Sequence, residues 1–297
     1  MKLTMNQFEV LVAIEREKRK ISQRELSNIT KLSLGTINNT ITELIKNNYI
    51  DNSNMITKEG LDALAPYRVK RAIFLAAGFG SRMLPITLNT PKPLIKVKGK
   101  RIIETLLDAA VKAEIPEIII VTGYLGEQFK MLLNKYPNII FYENKLYNEA
   151  NNISSAYVIK DKLENAYVLD SDLFLSNPNI IRKYEYHSNY TGKFIEITDD
   201  WIIETKNGII TKEKRGGQNG YQMYGIAYCD KQTGQKMNED IEKVFKMPGG
   251  KEYFWEQVMF DVCKKNYKIF VRPCYEGDII EIDTFNELKE IDKTYDI

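Results

Sequence analysis

The chain predicts an α/β fold: a mostly parallel, mixed sheet with helices on both faces, preceded by a small and largely helical domain. Three observations carry that expectation. From Arg71 onward, short apolar runs alternate with amphipathic segments of helical period, the pattern of strand–helix–strand units. One of those runs passes directly into the glycine-broken loop Ala77-Gly78-Phe79-Gly80, at the strand end where open parallel sheets bind ligands. Residues 1–66 have a different rhythm, with helical spacings and no such alternation. The expected division is therefore residues 1–66 and 67–297.

In the first segment, Phe8, Val10, Leu11 and Ile14 sit at helical spacing. Ser22-Gln-Arg-Glu25 is a capping-box pattern that opens a second helix through Leu26 and Ile29. A turn at residues 31–33 leads to a third helix with Ile37, Ile41, Leu44 and Ile45 on one face. Its polar face carries Thr36, Asn38, Asn39, Thr40 and Thr42, residue types able to bond base edges or phosphates. Residues 47–56 suggest a two-stranded wing, and 58–64 a short helix. This order resembles the winged helix-turn-helix modules of bacterial transcription regulators. DNA contact through residues 33–48 is one role for it. Against that role, residues 1–70 hold eleven Lys/Arg and eight Asp/Glu, a small excess of positive charge. A structural, protein-docking or regulatory role is the alternative.

Ala65-Pro66-Tyr67 reads as a linker, because the residue before a proline is pushed out of the helical region. Strands are expected over 72–76, 117–121, 138–142 and 166–169, and helices near 101–113, 124–133 and 152–160. The Gly78 loop and the Asp170-Ser171-Asp172 turn both fall at strand carboxyl ends.

Composition narrows the classes of function. The 297 residues are 43% hydrophobic and 28% charged, the balance of a soluble globular chain, with a net charge of only +2. No apolar stretch is long enough to span a membrane, and Glu9, Glu15 and Glu17 interrupt any signal-peptide pattern at the start. Three cysteines without metal-ligand spacing point to a reduced, cytoplasmic setting. A single histidine, His187, argues against triads and multi-histidine metal sites.

The chemistry converges on phosphate transfer. Gly78 and Gly80 allow positive φ and let backbone N–H groups approach a phosphate closely. Arg82 and, in Thr90-Pro-Lys-Pro, Lys92 can neutralise a triphosphate. The loop is neither a P-loop nor a dinucleotide fingerprint. Asp170 and Asp172 follow an apolar strand and can face one point, and Glu281-Ile-Asp283 repeats that spacing near the end. Two close carboxylates favour a cation between them, and Mg²⁺ suits one or two carboxylates with phosphates and waters. Turn-capping aspartates are the bland alternative.

The segment from Ile73 to Arg82 with Thr90-Pro-Lys-Pro-Leu94 resembles the signature of nucleotidyltransferases that join an NTP to a phosphorylated small molecule. With Val121-Thr-Gly-Tyr124, Asn151-Asn152, Ser155, Tyr167-Val-Leu-Asp-Ser-Asp172, Trp201, Phe254-Trp255 and Glu281-Ile-Asp-Thr284, the chain from Arg71 on resembles the bacterial CTP:phosphocholine cytidylyltransferases. That resemblance implies a Rossmann-like nucleotidyltransferase domain and Mg²⁺-dependent transfer of CTP to phosphocholine, giving CDP-choline and pyrophosphate. It assigns nucleotide contacts to Leu75, Ala76, Ala77, Gly78, Gly80, Ser81, Arg82, Lys92, Gly123 and Tyr124, and the metal to Asp172 and Asp283. Catalysis falls to Lys92, Arg82 and Asp172.

The acceptor is expected at Asn152, Ser155, Trp201, Tyr224, Trp255 and Glu281. Aromatic faces and nearby carboxylates suit a trimethylammonium group, which cannot donate hydrogen bonds. Trp201 is preceded by Asp199 and Asp200, and Trp255 is followed by Glu256, while burial in the core is the other reading of both tryptophans. Ile153-Ser154 stands where relatives carry an aromatic, and a less aromatic pocket would favour phosphoethanolamine or 2-aminoethylphosphonate. Sugar-1-phosphate nucleotidyl transfer and a ligand-sensing transcriptional regulator are the remaining alternatives.

Overall fold

The computed structural model describes residues 2–296. They fall into two units, Met1–Arg68 with Tyr184–Tyr186, and Val69–Lys183 with His187–Ile297. The first unit thus ends two residues later than the sequence suggested and also takes in a short piece from far down the chain. Its cause is local: Tyr186 stacks on Tyr67 with ring centroids 5.3 Å apart, and its hydroxyl donates to the Leu3 carbonyl.

In the first unit, helices α1 (Met5–Glu17), α2 (Gln23–Thr30), α3 (Leu34–Lys46) and α4 (Lys58–Leu64) enclose Phe8, Leu11, Ile14, Leu26, Ile37, Ile41 and Leu44. Ser22 and Glu25 form the expected reciprocal cap of α2, and Ser33 caps α3 through the Thr36 N–H. The wing shrinks to one antiparallel bridge between Ile50 and Ile56. Thr40, expected on the polar face of α3, is buried; Asn38, Asn39 and Thr42 are exposed. The 3.6-residue period explains the difference, since Thr40 sits between the core positions Ile37 and Ile41 and Leu44.

The second unit is built on a seven-stranded sheet. Its strands are β1 (Arg71–Ala76), β2 (Glu117–Thr122), β3 (Ile139–Glu143), β4 (Ala166–Asp170), β6 (Asn189–Lys206), β7 (Ile209–Cys229) and β8 (Phe270–Cys274), in the order β8-β6-β7-β4-β1-β2-β3. β1 pairs in parallel with both β2 and β4, and β2 with β3. β7 runs antiparallel to β4 and β6, so the sheet is mixed. The interior strands are buried on both faces, which is why they read as unbroken apolar runs. Helix α5 (Ile102–Lys112) covers one face, and α6 (Ile153–Val158) and α7 (Lys231–Lys246) cover the other.

The expected helix at 124–133 is instead a 3₁₀ segment, Gly126–Asn134. The long hairpin of β6 and β7 and the helix α7 were not anticipated. Outside the main sheet, β5 (Leu173–Leu175) pairs antiparallel with β9 (Ile279–Glu281), which is followed by α8 (Phe285–Ile291). That pairing sets Glu281 opposite Leu173, so the chain ends carrying Asp172 and Asp283 arrive at one place.

Candidate active site

β1 delivers Leu75, Ala76 and Ala77 to the sheet's carboxyl edge, and the chain then breaks into the glycine loop. Gly80 has φ +69° and Gly78 does not take a positive φ, so only one of the two glycines uses left-handed backbone. At Gly78 an added Cβ would meet open space, room that a phosphate could use. The Thr87 hydroxyl donates to the Gly80 carbonyl, and the Ser171 hydroxyl donates to the Leu75 carbonyl, tying the loop to the Asp170–Asp172 turn.

Lys92 lies against these acids. Its Nζ is 2.9 Å from Asp172 Oδ2 and 2.9 Å from Asp283 Oδ1, while Arg82 Nη1 is 2.7 Å from Asp283 Oδ2. Burial pulls the Lys92 ammonium down, but the two carboxylates outweigh it and hold the group above its ordinary value. Asp172 and Asp283 therefore present hard oxygen donors around one cation position. Among the described residues no cluster of three or more His, Cys, Asp or Glu is arranged to hold a metal. A two-carboxylate site completed by substrate oxygens and water fits this donor set.

These residues line one wall of a cleft of about 580 Å³. Its acids are Asp170, Asp172, Asp200, Glu213, Glu256, Glu281 and Asp283, against only Arg82, Lys92 and Arg215 as bases. With Arg82 and Lys92 engaged on the phosphate side, the remaining acids are left to a cationic ligand group, whose charge would favour their ionised form. Burial raises Glu213 to about 8, Glu256 to about 7 and Glu281 to about 8. Asp170 keeps an accessible edge on the cleft, yet enclosure by protein and the neighbouring Glu256, Asp172 and Glu281 push it well above the usual carboxylate range. A Cβ at Gly225, where φ is +55°, would come within 2.2 Å of Asp170 Oδ2, so backbone packs directly on that carboxylate.

The aromatic wall is made by Trp201 and Phe254, edge to face with centroids 6.2 Å apart, with Tyr147 and Tyr224 also in the lining. Asn152 and Ser155 line the cleft as expected; Ser155 takes a hydrogen bond from Asn144, and Asn152 accepts one from the Trp255 backbone N–H. Leu75, Ala76, Ala77, Gly78, Gly80, Arg82, Lys92, Asp172, Trp201, Tyr224, Glu281 and Asp283 all meet there too.

Four expected residues do not. Trp255 is 1% exposed and packs into the core, while its neighbour Phe254 takes the cleft position. Ser81 opens a 3₁₀ turn outside the lining. Gly123 is squeezed between the Ala77 carbonyl and Tyr147, and Tyr124 donates its backbone N–H to Ala77 and its hydroxyl to the Leu88 carbonyl. These last two brace the loop from behind. Sequence reasoning noted Asp200 and Glu256 only as neighbours of the tryptophans, and missed Asn144, Glu213 and Arg215. Their contribution comes from the unanticipated hairpin and from tertiary packing, for which no local motif exists.

The description "Nucleotidyl transferase" belongs to the family model that matches residues 71–269, and "Winged helix-turn-helix DNA-binding" to one that matches residues 6–51. A 2-aminoethylphosphonate cytidylyltransferase of Lancefieldella rimae is 36% identical, over 75% of this chain and 92% of that protein. A choline-phosphate cytidylyltransferase of Streptococcus pneumoniae is 31% identical, over 75% of this chain and 97% of that protein. A solved structure of CTP:phosphocholine cytidylyltransferase from Streptococcus pneumoniae superposes with a TM-score of 0.71 at 30% identity, covering 76% of this chain and 99% of that one.

Proposed function

Since this chain belongs to the nucleotidyl transferase family and is an enzyme of the transferase class, we propose that it joins CTP to a small phosphorylated or phosphonylated amine and releases pyrophosphate. The observation that carries this reading is the cleft itself, with Arg82 and Lys92 beside a glycine loop at one end and an acidic, aromatic wall at the other. A triphosphate matches the first end and a cationic head group the second.

The reacting oxygen belongs to the acceptor's phosphate or phosphonate, which attacks the α-phosphorus of CTP as pyrophosphate departs. A phosphomonoester is largely dianionic near neutral pH, its second pKa being about 6, so no general base is needed. That accords with His187, which stacks on Phe270 with centroids 3.8 Å apart and is not among the cleft residues. The chain's task is alignment and cancellation of charge. Backbone N–H groups of the Gly78–Gly80 loop and the Arg82 guanidinium hold the triphosphate, and Lys92 neutralises charge at the transferring phosphorus. Asp172 and Asp283 would hold Mg²⁺, which when bound supplies Lewis-acid stabilisation of phosphate charge. Asp283 also anchors Arg82, and Asp172 anchors Lys92, so the carboxylates orient both bases.

The test is pyrophosphate release with Mg²⁺, each of the four NTPs being offered with amine-bearing phosphates, 2-aminoethylphosphonate and glucose-1-phosphate. Release confined to CTP and the amines supports the reading, and release with glucose-1-phosphate overturns it. For the first unit we infer nucleic-acid contact through residues 33–48, on the exposed Asn38, Asn39 and Thr42 of α3 and the winged-helix match.

A further inference from the structure

Resting on the cytidylyltransferase reading, we propose that the acceptor's cationic end is a primary ammonium held by Glu256 and Glu213, and not a quaternary ammonium. Glu256 is 6% exposed and lines the cleft, and its Oε2 is enclosed without a hydrogen-bond partner. Glu213, also in the lining, has an Oε2 in the same condition. A buried carboxyl oxygen lacking a partner is costly, and a cationic donor brought by the ligand would both pair with it and favour its ionised form.

The chain's own candidates do not fill it. The Tyr190 hydroxyl accepts the Gly225 N–H at 3.0 Å and lies 3.4 Å from Glu256 Oε1, a long approach to the other oxygen. The Asn152 and Trp255 side chains are near enough to temper the rise of the Glu256 carboxyl, yet neither completes a bond to Oε2. No lysine or arginine pairs with either glutamate among the described ion pairs, although three bases line the same cleft.

A primary ammonium has three N–H donors, enough to serve both Glu256 Oε2 and Glu213 Oε2. A trimethylammonium has none, and its methyl groups would leave both oxygens buried and unpaired. Trp201 and Phe254 offer aromatic faces to either cation and so do not discriminate. With Trp255 in the core, the aromatic wall also lacks one face that a quaternary cage would use. The carboxylates decide, and they rank phosphocholine, the acceptor the sequence resemblance implied, below its unmethylated counterpart.

The experiment measures kcat/KM with CTP for phosphoethanolamine, its N-methyl and N,N-dimethyl forms, phosphocholine and 2-aminoethylphosphonate. The expected result is a fall with each methyl, reaching at least about 100-fold from phosphoethanolamine to phosphocholine. In Glu256→Gln, the KM of the primary amine should rise at least about tenfold with the KM of CTP within about twofold, and the methyl series should flatten. Glu213→Gln gives the same readout should the first variant fold poorly. Phosphocholine turned over as well as or better than the primary amines would overturn the inference and leave the transferase reading standing. No pyrophosphate from CTP with any acceptor would overturn both. A Glu256→Gln effect equal for all acceptors would reduce Glu256 to packing and overturn the inference as well.

Discussion

Phe254 and Trp255 are adjacent in sequence and turn opposite ways, Phe254 being 41% exposed on the cleft and Trp255 only 1% exposed in the core. Of the two, the smaller ring lines the cleft. Phe254→Ala should raise the acceptor's KM several-fold and leave stability nearly unchanged. Trp255→Ala should cost about 3–5 kcal/mol of stability by leaving a cavity, without favouring one substrate's KM over the other. Denaturant unfolding alongside steady-state kinetics separates the two outcomes, and a selective acceptor effect in the tryptophan variant would contradict this placement.

Asp172→Asn should lower kcat by at least about 100-fold, the scale seen when one preorganised electrostatic group is lost. Lys92 would keep its ion pair with Asp283, so the fold should survive. Pyrophosphate release and circular dichroism on the same sample check this; near-normal turnover would remove Asp172 from the metal site.

Stability should fall as pH rises from about 4.5 to 8. Glu256 and Glu213 are raised from an ordinary 4.5 to about 7 and about 8, chiefly by burial. Within that window the folded chain keeps protons that the unfolded chain has released, so raising the pH favours unfolding; below it both states are protonated. Neighbouring Asp170, held well above the usual carboxylate range by burial and by Glu256, adds to the same trend. Thermal melts of the ligand-free protein should show Tm lower by roughly several degrees at pH 8 than at pH 5, and Glu256→Gln should flatten the trend. A Tm that rises across this range would count against the buried charge.

Asn39→Ala should weaken duplex DNA binding by about tenfold if α3 reads base edges, since one bidentate contact is worth about 1–3 kcal/mol. Fluorescence anisotropy of the full chain at two salt concentrations tests this. No DNA affinity in the parent protein at low salt would leave the first unit a regulatory or docking role.

The catalytic half was legible because its signals are local. A strand, a glycine loop and a lysine between prolines occupy about twenty residues from Ile73 to Leu94, and parallel strands buried on both faces announce themselves as apolar runs. Asp283 was legible through the i, i+2 repeat at Glu281, although only the β5–β9 pairing explains why it meets Asp172. The acid-lined wall of the cleft was not. Glu213 and Arg215 lie on a hairpin strand whose polar and glycine-rich sequence, Lys212-Glu-Lys-Arg-Gly-Gly-Gln218, reads as a loop. Trp255 and Phe254 share one local sequence, and which ring is buried depends on packing against α6 and α7, outside any window that reads the sequence alone.

Lys92, enclosed between Asp172 and Asp283, gives the ligand-free protein an internal counter-ion. With Arg82 also paired to Asp283, these two carboxylates are electrically balanced before substrate or metal arrives, unlike a structural metal centre whose folding depends on its ion. A chelator should silence such an enzyme without melting it. Activity should then return on adding the ion back, with no refolding step between.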